Sequence, residues 1–279
     1  MTYEKMGPRS IDYMPWRCSG SRLVFRGPRR RLEGDYIAFL GGTDTYGKFI
    51  DRPFPMLVED RLGVACVNLG WPNAGVDVFL NEPAILEICG RARAVILQLP
   101  GAQNMSNRFY TVHPRRNDRF IAPSQQMRDL FPEVDFTEFH FTRHMLQRLR
   151  QVAPDRFGPL RDALQRLWAL RMRALLDQMG GKVTLLWFSA RQPMVEEGDD
   201  EVFSEPAFVT ERMIRAIADR AAALVTVCAR PAACERGTMG MVYSGLEAAA
   251  AAEVLGPRTH EDAAEALAPV LRLQMAARR

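Results

Sequence analysis

"FLGGTDTYGKF", residues 39–49, decides how the rest of the chain is read. An apolar run ends there in two glycines and a hydroxyl-bearing turn follows, which marks a junction between a strand and the next element. Residues 42–48 also fit the G-x-x-x-x-G-K spacing of a phosphate-binding loop. Such a loop needs a Ser or Thr after its lysine to hold magnesium, and a helix starting at the lysine so that free N–H groups face the phosphates. Here Phe49 follows Lys48, and Pro53 and Pro55 interrupt any helix launched there, because proline lacks the amide donor. Nucleotide binding is therefore set aside. Thr43 and Thr45 are left as hydroxyls at a strand-to-helix turn.

On either side of this junction, short β-rich runs alternate with helical stretches, the pattern of a parallel sheet covered on both faces. Strands are predicted at 36–41, 64–70, 94–101, 182–189 and 222–229, and helices at 54–62, 82–91, 210–221 and 260–275. The expected fold is a three-layer α/β sandwich of about five parallel strands in a single domain. Residues 105–181 are too long for one crossover, and Leu160, Leu164, Leu167, Leu170 and Leu175 mark an apolar helical face, so a helical insertion is expected as a lid or wall over the sheet's C-terminal edge. Residues 1–34, rich in Pro, Gly and Arg, read as a wrapping arm. "EAAAAAE" (247–253) is most simply a helix.

A chain of 279 residues, 47% of them hydrophobic and 25% charged, can bury the core of one such domain. No apolar run approaches the ~20 residues that span a bilayer, and the N-terminus lacks a signal-peptide core, so a cytoplasmic protein is expected. Five scattered cysteines without a C-x-x-C pair point to buried thiols, with no metal or other cofactor implied. The net charge is only +4, which argues against nucleic acid as a partner, yet all but three of the 37 cations are arginine. "HPRRNDRF" (113–120) gathers Arg115, Arg116 and Arg119, whose planar donor forks suit an anionic substrate group. His140 and His144 stand four apart, the spacing of a metal pair on one helix face, but packing and hydrogen bonding are the favoured roles.

Together with "RPFPMLVEDRLGVACVNLGWPNAG" (52–75), the opening stretch resembles the first blocks of the SGNH, or GDSL-type, hydrolase superfamily: strand, nucleophile turn, Pro-flanked helix, then a strand ending at Asn-x-Gly. The resemblance implies an SGNH-like, flavodoxin-like fold. It places Thr43 as nucleophile or substrate-positioning hydroxyl, Gly70 or Gly75 as an oxyanion amide, Asn104 in "PGAQN" (100–104) as a side-chain donor, and His260 in "THEDAAEALAPVL" (259–271) as base. Thr45, Asn73 and Asn107 join the arginines as substrate-binding candidates. Such a constellation performs acyl transfer, with a hydroxyl attacking a carbonyl, an imidazole moving the proton and N–H groups holding the oxyanion. Gly42 stands where that superfamily has Asp, Thr43 where it has Ser, and Pro257 where the histidine's carboxylate belongs.

Most of the chain also resembles an uncharacterised bacterial family, through "SRLVFRGPRR", "GGTDTYGKF", "NAGVDVFL", "GAQNMSNRFYTVHPRRNDRF" and "VDFTEFHFTRHML". Related SGNH-like branches are associated with modification of surface polysaccharides, which implies an acyl ester hydrolase or acyltransferase acting on a carbohydrate-like substrate. Two other functions are carried beside it: a sulfo- or phospho-group transferase using the arginine loops, and a non-catalytic glycan-binding protein on a degenerate hydrolase fold. Thr43 as a simple helix cap is the structural alternative at the turn itself.

Overall fold

The computed structural model describes residues 10–193 and 203–277. Five strands, β1 (Tyr36–Gly41), β2 (Ala65–Gly70), β3 (Ala94–Gln98), β6 (Val183–Ser189) and β7 (Ala223–Cys228), form one all-parallel sheet in the order β2-β1-β3-β6-β7. A separate antiparallel pair, β4 (Tyr110–Val112) and β5 (Phe120–Pro123), lies within the long insertion. The α/β sandwich expected from the alternating runs is present, and each sheet strand falls within two or three residues of its predicted limits.

Alternation along each strand builds the two faces. Tyr36, Ala38, Leu40, Val95, Leu97, Leu185 and Trp187 belong to one buried cluster, and Ile37, Phe39, Ile96, Leu186 and Phe188 to the other. Helices α2 (Phe54–Leu62) and α11 (Pro257–Ala276) cover the second face and pack on each other. The first face is covered by α3 (Val76–Leu80), α4 (Pro83–Arg91) and α7 (Pro154–Met179). Burial on both sides explains why the inner strands read as continuous apolar runs.

The insertion departs from the expected all-helical form. It opens with the β4–β5 hairpin, continues through α5 (Gln125–Leu130) and α6 (Thr142–Val152), and ends in α7. Leu160, Leu164 and Leu175 are buried on α7, but Leu170 is 66% exposed, because the 26-residue helix turns its apolar stripe away from that position. Near residue 210 the expected long helix is a single short one, α8 (Glu211–Arg215), followed by a 3-10 turn at Ala218–Arg220. The alanine tract gives only α10 (Ala248–Ala251) after a 3-10 turn. Among the described residues no helix is long and apolar enough to cross a membrane.

From Ser10 onward the arm does wrap the domain. Trp16 and Phe25 pair across an isolated bridge, and Leu23 and Phe25 are fully buried. Arg26 is only 2% exposed and its guanidinium donates to the carbonyls of Gly47 (2.5 Å), Ile50 (2.7 Å) and Asp51 (2.7 Å). The ring of Tyr13 lies against the same group. Among the described residues no carboxylate forms an ion pair with it, and burial holds its pKa below the usual arginine value. A buried carbonyl stripped of its donor costs ~1–3 kcal/mol. Arg26→Met is therefore predicted to lower unfolding free energy by about 3 kcal/mol or more in urea titration, and Arg26→Lys to recover only part of it. A loss below about 1 kcal/mol for Arg26→Met would show that the loop does not depend on this cation.

Candidate functional site

In a sheet of this order, β1 and β3 lead to crossovers in opposite directions, and the crevice beyond their C-terminal ends is where open α/β sheets bind ligands. A cavity of about 290 Å³ lies there. Its floor is the end of β1 (Gly42, Thr43, Asp44) and the end of β3 (Gln98 to Gly101, with Asn104). Asn73 closes one side, Glu205 and Pro206 another, and Arg143 and the segment before α11 form the outer wall.

The turn after β1 is shaped by Gln98. Its Oε1 accepts from the Gly42 N–H (3.2 Å), the Thr45 N–H (3.1 Å) and the Thr45 hydroxyl (2.5 Å). A side chain on Gly41 would collide with Thr45 and Gln98, which is why the strand must end in glycine. Short helix α1 (Thr43–Tyr46) follows and ends before Lys48, with Gly47 left-handed at φ 75°. The phosphate-loop geometry is thus absent: the helix precedes the lysine, and two turn amides are already bonded to Gln98.

The structure brings Thr43, Asn73 and Asn104 together. Asn73 sits at φ 56°, a left-handed conformation that asparagine tolerates. Its N–H donates to Thr43 Oγ1 (3.1 Å), and the Thr43 hydroxyl donates back to Asn73 Oδ1 (3.1 Å). Asn73 Nδ2 donates to Asp118 (3.2 Å), which fixes the amide's orientation. Asn104 Nδ2 donates to the Asn73 carbonyl (3.2 Å), while its Oδ1 accepts from Thr142 (2.7 Å).

His260 lies elsewhere. It belongs to the first turn of α11 rather than preceding the helix, is fully buried, and is flanked by the rings of Phe54 and Phe188 at 5.7 and 5.2 Å. Nδ1 accepts the Phe54 N–H (3.1 Å), and among the described residues Nε2 has no hydrogen-bond partner. The expected Thr43–His260 hydrogen bond is therefore not formed. Burial, with help from the Arg26 charge, pushes the His260 pKa down to about 3, so the ring is neutral at ordinary pH.

The two candidate oxyanion glycines are also engaged. The Gly70 N–H donates to Asn68 Oδ1 (2.9 Å) and the Gly75 N–H to Asn117 Oδ1 (3.2 Å). Both positions need glycine for close packing, Gly70 against the Tyr46 backbone and Gly75 against the Asn104 backbone. Thr45 is spent on Gln98, and Asn107 organises its own turn by accepting from Phe109 and Tyr110 N–H groups. Arg115, Arg116 and Arg119 are not among the cavity-lining residues, and Arg119 stacks on Phe141. His140 precedes α6 whereas His144 lies within it against Phe139, so the two do not share a helix face. Among the described residues no group of three or more His, Cys, Asp or Glu side chains is arranged to hold a metal ion.

Three carboxylates in the cavity, Asp44, Glu205 and Glu253, have no counterpart among the predicted site residues, and Glu253 is paired with Arg143. Asp44 accepts from the Leu255 N–H (2.9 Å) and from Gln98 Nε2 (3.4 Å), and burial raises its pKa to about 6. Glu205 accepts from Gln103 Nε2 (2.5 Å) and the Ala207 N–H (3.2 Å). Its pKa is also raised by the surrounding wall, although the side chain opens to solvent through the cavity and the effect is screened accordingly. Asp44 stands beside Thr43 within residues 39–49, as a single acid with no partner at motif spacing. Glu205 follows a long acidic run and carries no motif.

These shifts make opposite demands on pH. Asp44 binds its proton more tightly folded than unfolded, so its contribution is full below 3.8 and is lost as pH rises through about 6. His260 binds its proton less tightly folded, so its contribution is present above 6.5 and is lost as pH falls towards about 3. Between pH 4 and 6 the two slopes, each up to about 1.4 kcal/mol per pH unit, oppose each other. Asp44→Asn is predicted to leave a stability that climbs with pH in this window, and His260→Gln one that falls. Parallel stability curves for the two variants would contradict both assignments.

No curated protein matches the chain. A family model described as "Domain of unknown function (DUF6473)" matches residues 1–275, nearly the whole length. With the arm, the sheet, the insertion and all but the last residue of α11 inside that match, the chain belongs to the DUF6473 family.

Proposed function

We propose that this protein is a carbohydrate-binding protein built on an SGNH-like fold, holding its ligand in the cavity beyond β1 and β3. The observation that carries this is the state of the Thr43 hydroxyl. It donates to an amide oxygen, which cannot act as a base, and accepts from the N–H of the same asparagine. The neutral imidazole that would have served it is buried among phenylalanines. What stays is a small polar cavity, near the lower end of the ~300–1,000 Å³ typical of ligand sites. Its amide, hydroxyl and carboxylate groups suit a ligand rich in hydroxyls. The resemblance of residues 41–75 and 100–104 to SGNH blocks supports the choice of ligand class by analogy.

Acyl ester hydrolysis or transfer is the second reading, favoured by one feature: Asp44 adjoins Thr43, faces the same cavity and titrates near pH 6, where a carboxylate can accept and return a proton. The arginine-dependent transferase gains no such support, since the arginines of the 113–120 loop stand outside the cavity lining.

Thermal stability of the full chain in the presence of mono- and disaccharides, run beside hydrolysis of p-nitrophenyl acetate and acetylated sugars, separates the two readings. Binding predicts a rise in Tm with sugar, and hydrolysis no faster than buffer in both the parent and Thr43→Val. Ester cleavage that disappears in Thr43→Val would overturn it in favour of acyl transfer. The absence of any sugar-dependent shift would remove the carbohydrate assignment itself.

A further inference from the structure

Five charged residues line the cavity, three carboxylates (Asp44, Glu205, Glu253) against two cations (Lys48, Arg143). Arg143 is already paired with Glu253 at 2.9 Å. Lys48 lies over the ring of Phe49, with its Nζ 4.6 Å from the centroid. Asp44 and Glu205 are left with uncharged donors only: a backbone N–H and a primary amide each. Among the described residues neither takes part in an ion pair.

A carboxylate facing a protein cavity is ordinarily matched by a cation, because its desolvation is otherwise uncompensated. The mismatch deepens beside Glu205. Gln103 is 4% exposed, and while its Nε2 donates to Glu205, its Oε1 has no donor among the described residues. A side chain on Gly101, which lines the cavity, would run into both Gln103 Oε1 and Glu205 Oε2, so the two acceptors lie close together, Glu205 in the cavity lining and Gln103 buried beside it. The wall therefore carries more negative than positive charge, with an unpaired acceptor buried close beside Glu205. Each carboxylate is also anchored by a different part of the fold. Asp44 is fixed by the end of β3 and the segment before α11, and Glu205 by the loop after β3 and by its own carbonyl, which accepts from Ser189 at the end of β6 (2.6 Å).

We propose that the cavity recognises a ligand bearing a protonated amine, most simply an amino sugar, with the ammonium group placed between Asp44 and Glu205. An ammonium brings three donors and one positive charge, which supplies what the wall lacks. The amine inference concerns charge, whereas the amino-sugar form of it rests on the carbohydrate reading above. The titrations use a Tris-free buffer, because Tris is itself a protonated amine and would compete for the site.

Four probes decide between them by calorimetric titration of the full chain: glucosamine, glucose, N-acetylglucosamine and ethanolamine. Glucosamine is expected to bind roughly tenfold or more tightly than glucose or N-acetylglucosamine, in which the charge is absent. Glu205→Gln and Asp44→Asn, isosteric and uncharged, should each erase most of that preference, so that glucosamine and glucose bind each variant within about twofold of one another. Equal binding of all three sugars would overturn the amine inference and leave carbohydrate binding intact. Ethanolamine binding without any sugar binding would do the reverse. If none of the four binds, both fall, and a preference for glucosamine that survives in the two variants would show that the ammonium is held elsewhere.

Discussion

One side-chain oxygen organises the functional end of the molecule. Gln98 Oε1, at the last residue of β3, takes three donors from the turn that follows β1. Those donors are the ones a helix N-terminus would otherwise present to an anion. Joining neighbouring strands at the point where the chain reverses its direction of travel, the contact fixes the path of Gly42, Thr43 and Asp44 and so the floor of the cavity. Its cost is that the turn can no longer cradle a phosphate. A sequence that spells most of a phosphate loop thus folds into a turn already filled by its own protein.

Much of this architecture is legible from residue patterns. Both faces of the sheet are buried, so the strands stand out as short apolar runs between turn residues, and their limits were found closely. Local chemistry also marks Thr43, Asn73 and Asn104, because each follows a strand end where ligands gather. Other features were hidden for physical reasons. The β4–β5 hairpin is short and half exposed, giving little alternation to detect. Leu170 looks like its neighbours on α7 and differs only in which way the helix is rotated. Asp44 and Glu205 are ordinary acids in the sequence, and only the tertiary fold brings residues so distant in the chain to one cavity.

His260 illustrates how far a motif position can drift from its expected use. The histidine stands in the right place along the chain, before the bulk of the last helix. Yet α11 begins three residues earlier than predicted, at Pro257, which carries the imidazole into the layer between sheet and helices. There it caps the first turn of α2 by accepting the Phe54 N–H, a role filled by a neutral ring and not by a charged one. Gly70 and Gly75 follow the same logic: their amides have found partners within the protein, and their lack of a side chain serves backbone contact.

The clamp formed by Arg26 carries a consequence for where the domain begins. Three carbonyls in the loop leading from α1 to α2 depend on a guanidinium that precedes the first strand by ten residues. The smallest unit able to fold on its own therefore starts upstream of the sheet, and any division of the chain drawn at Tyr36 would separate a loop from the group that solvates it. In that sense the arm acts as an internal solvent. It substitutes a fixed cation for the water molecules these carbonyls would otherwise need, and it lets the loop lie beneath Tyr13 instead of facing the bulk.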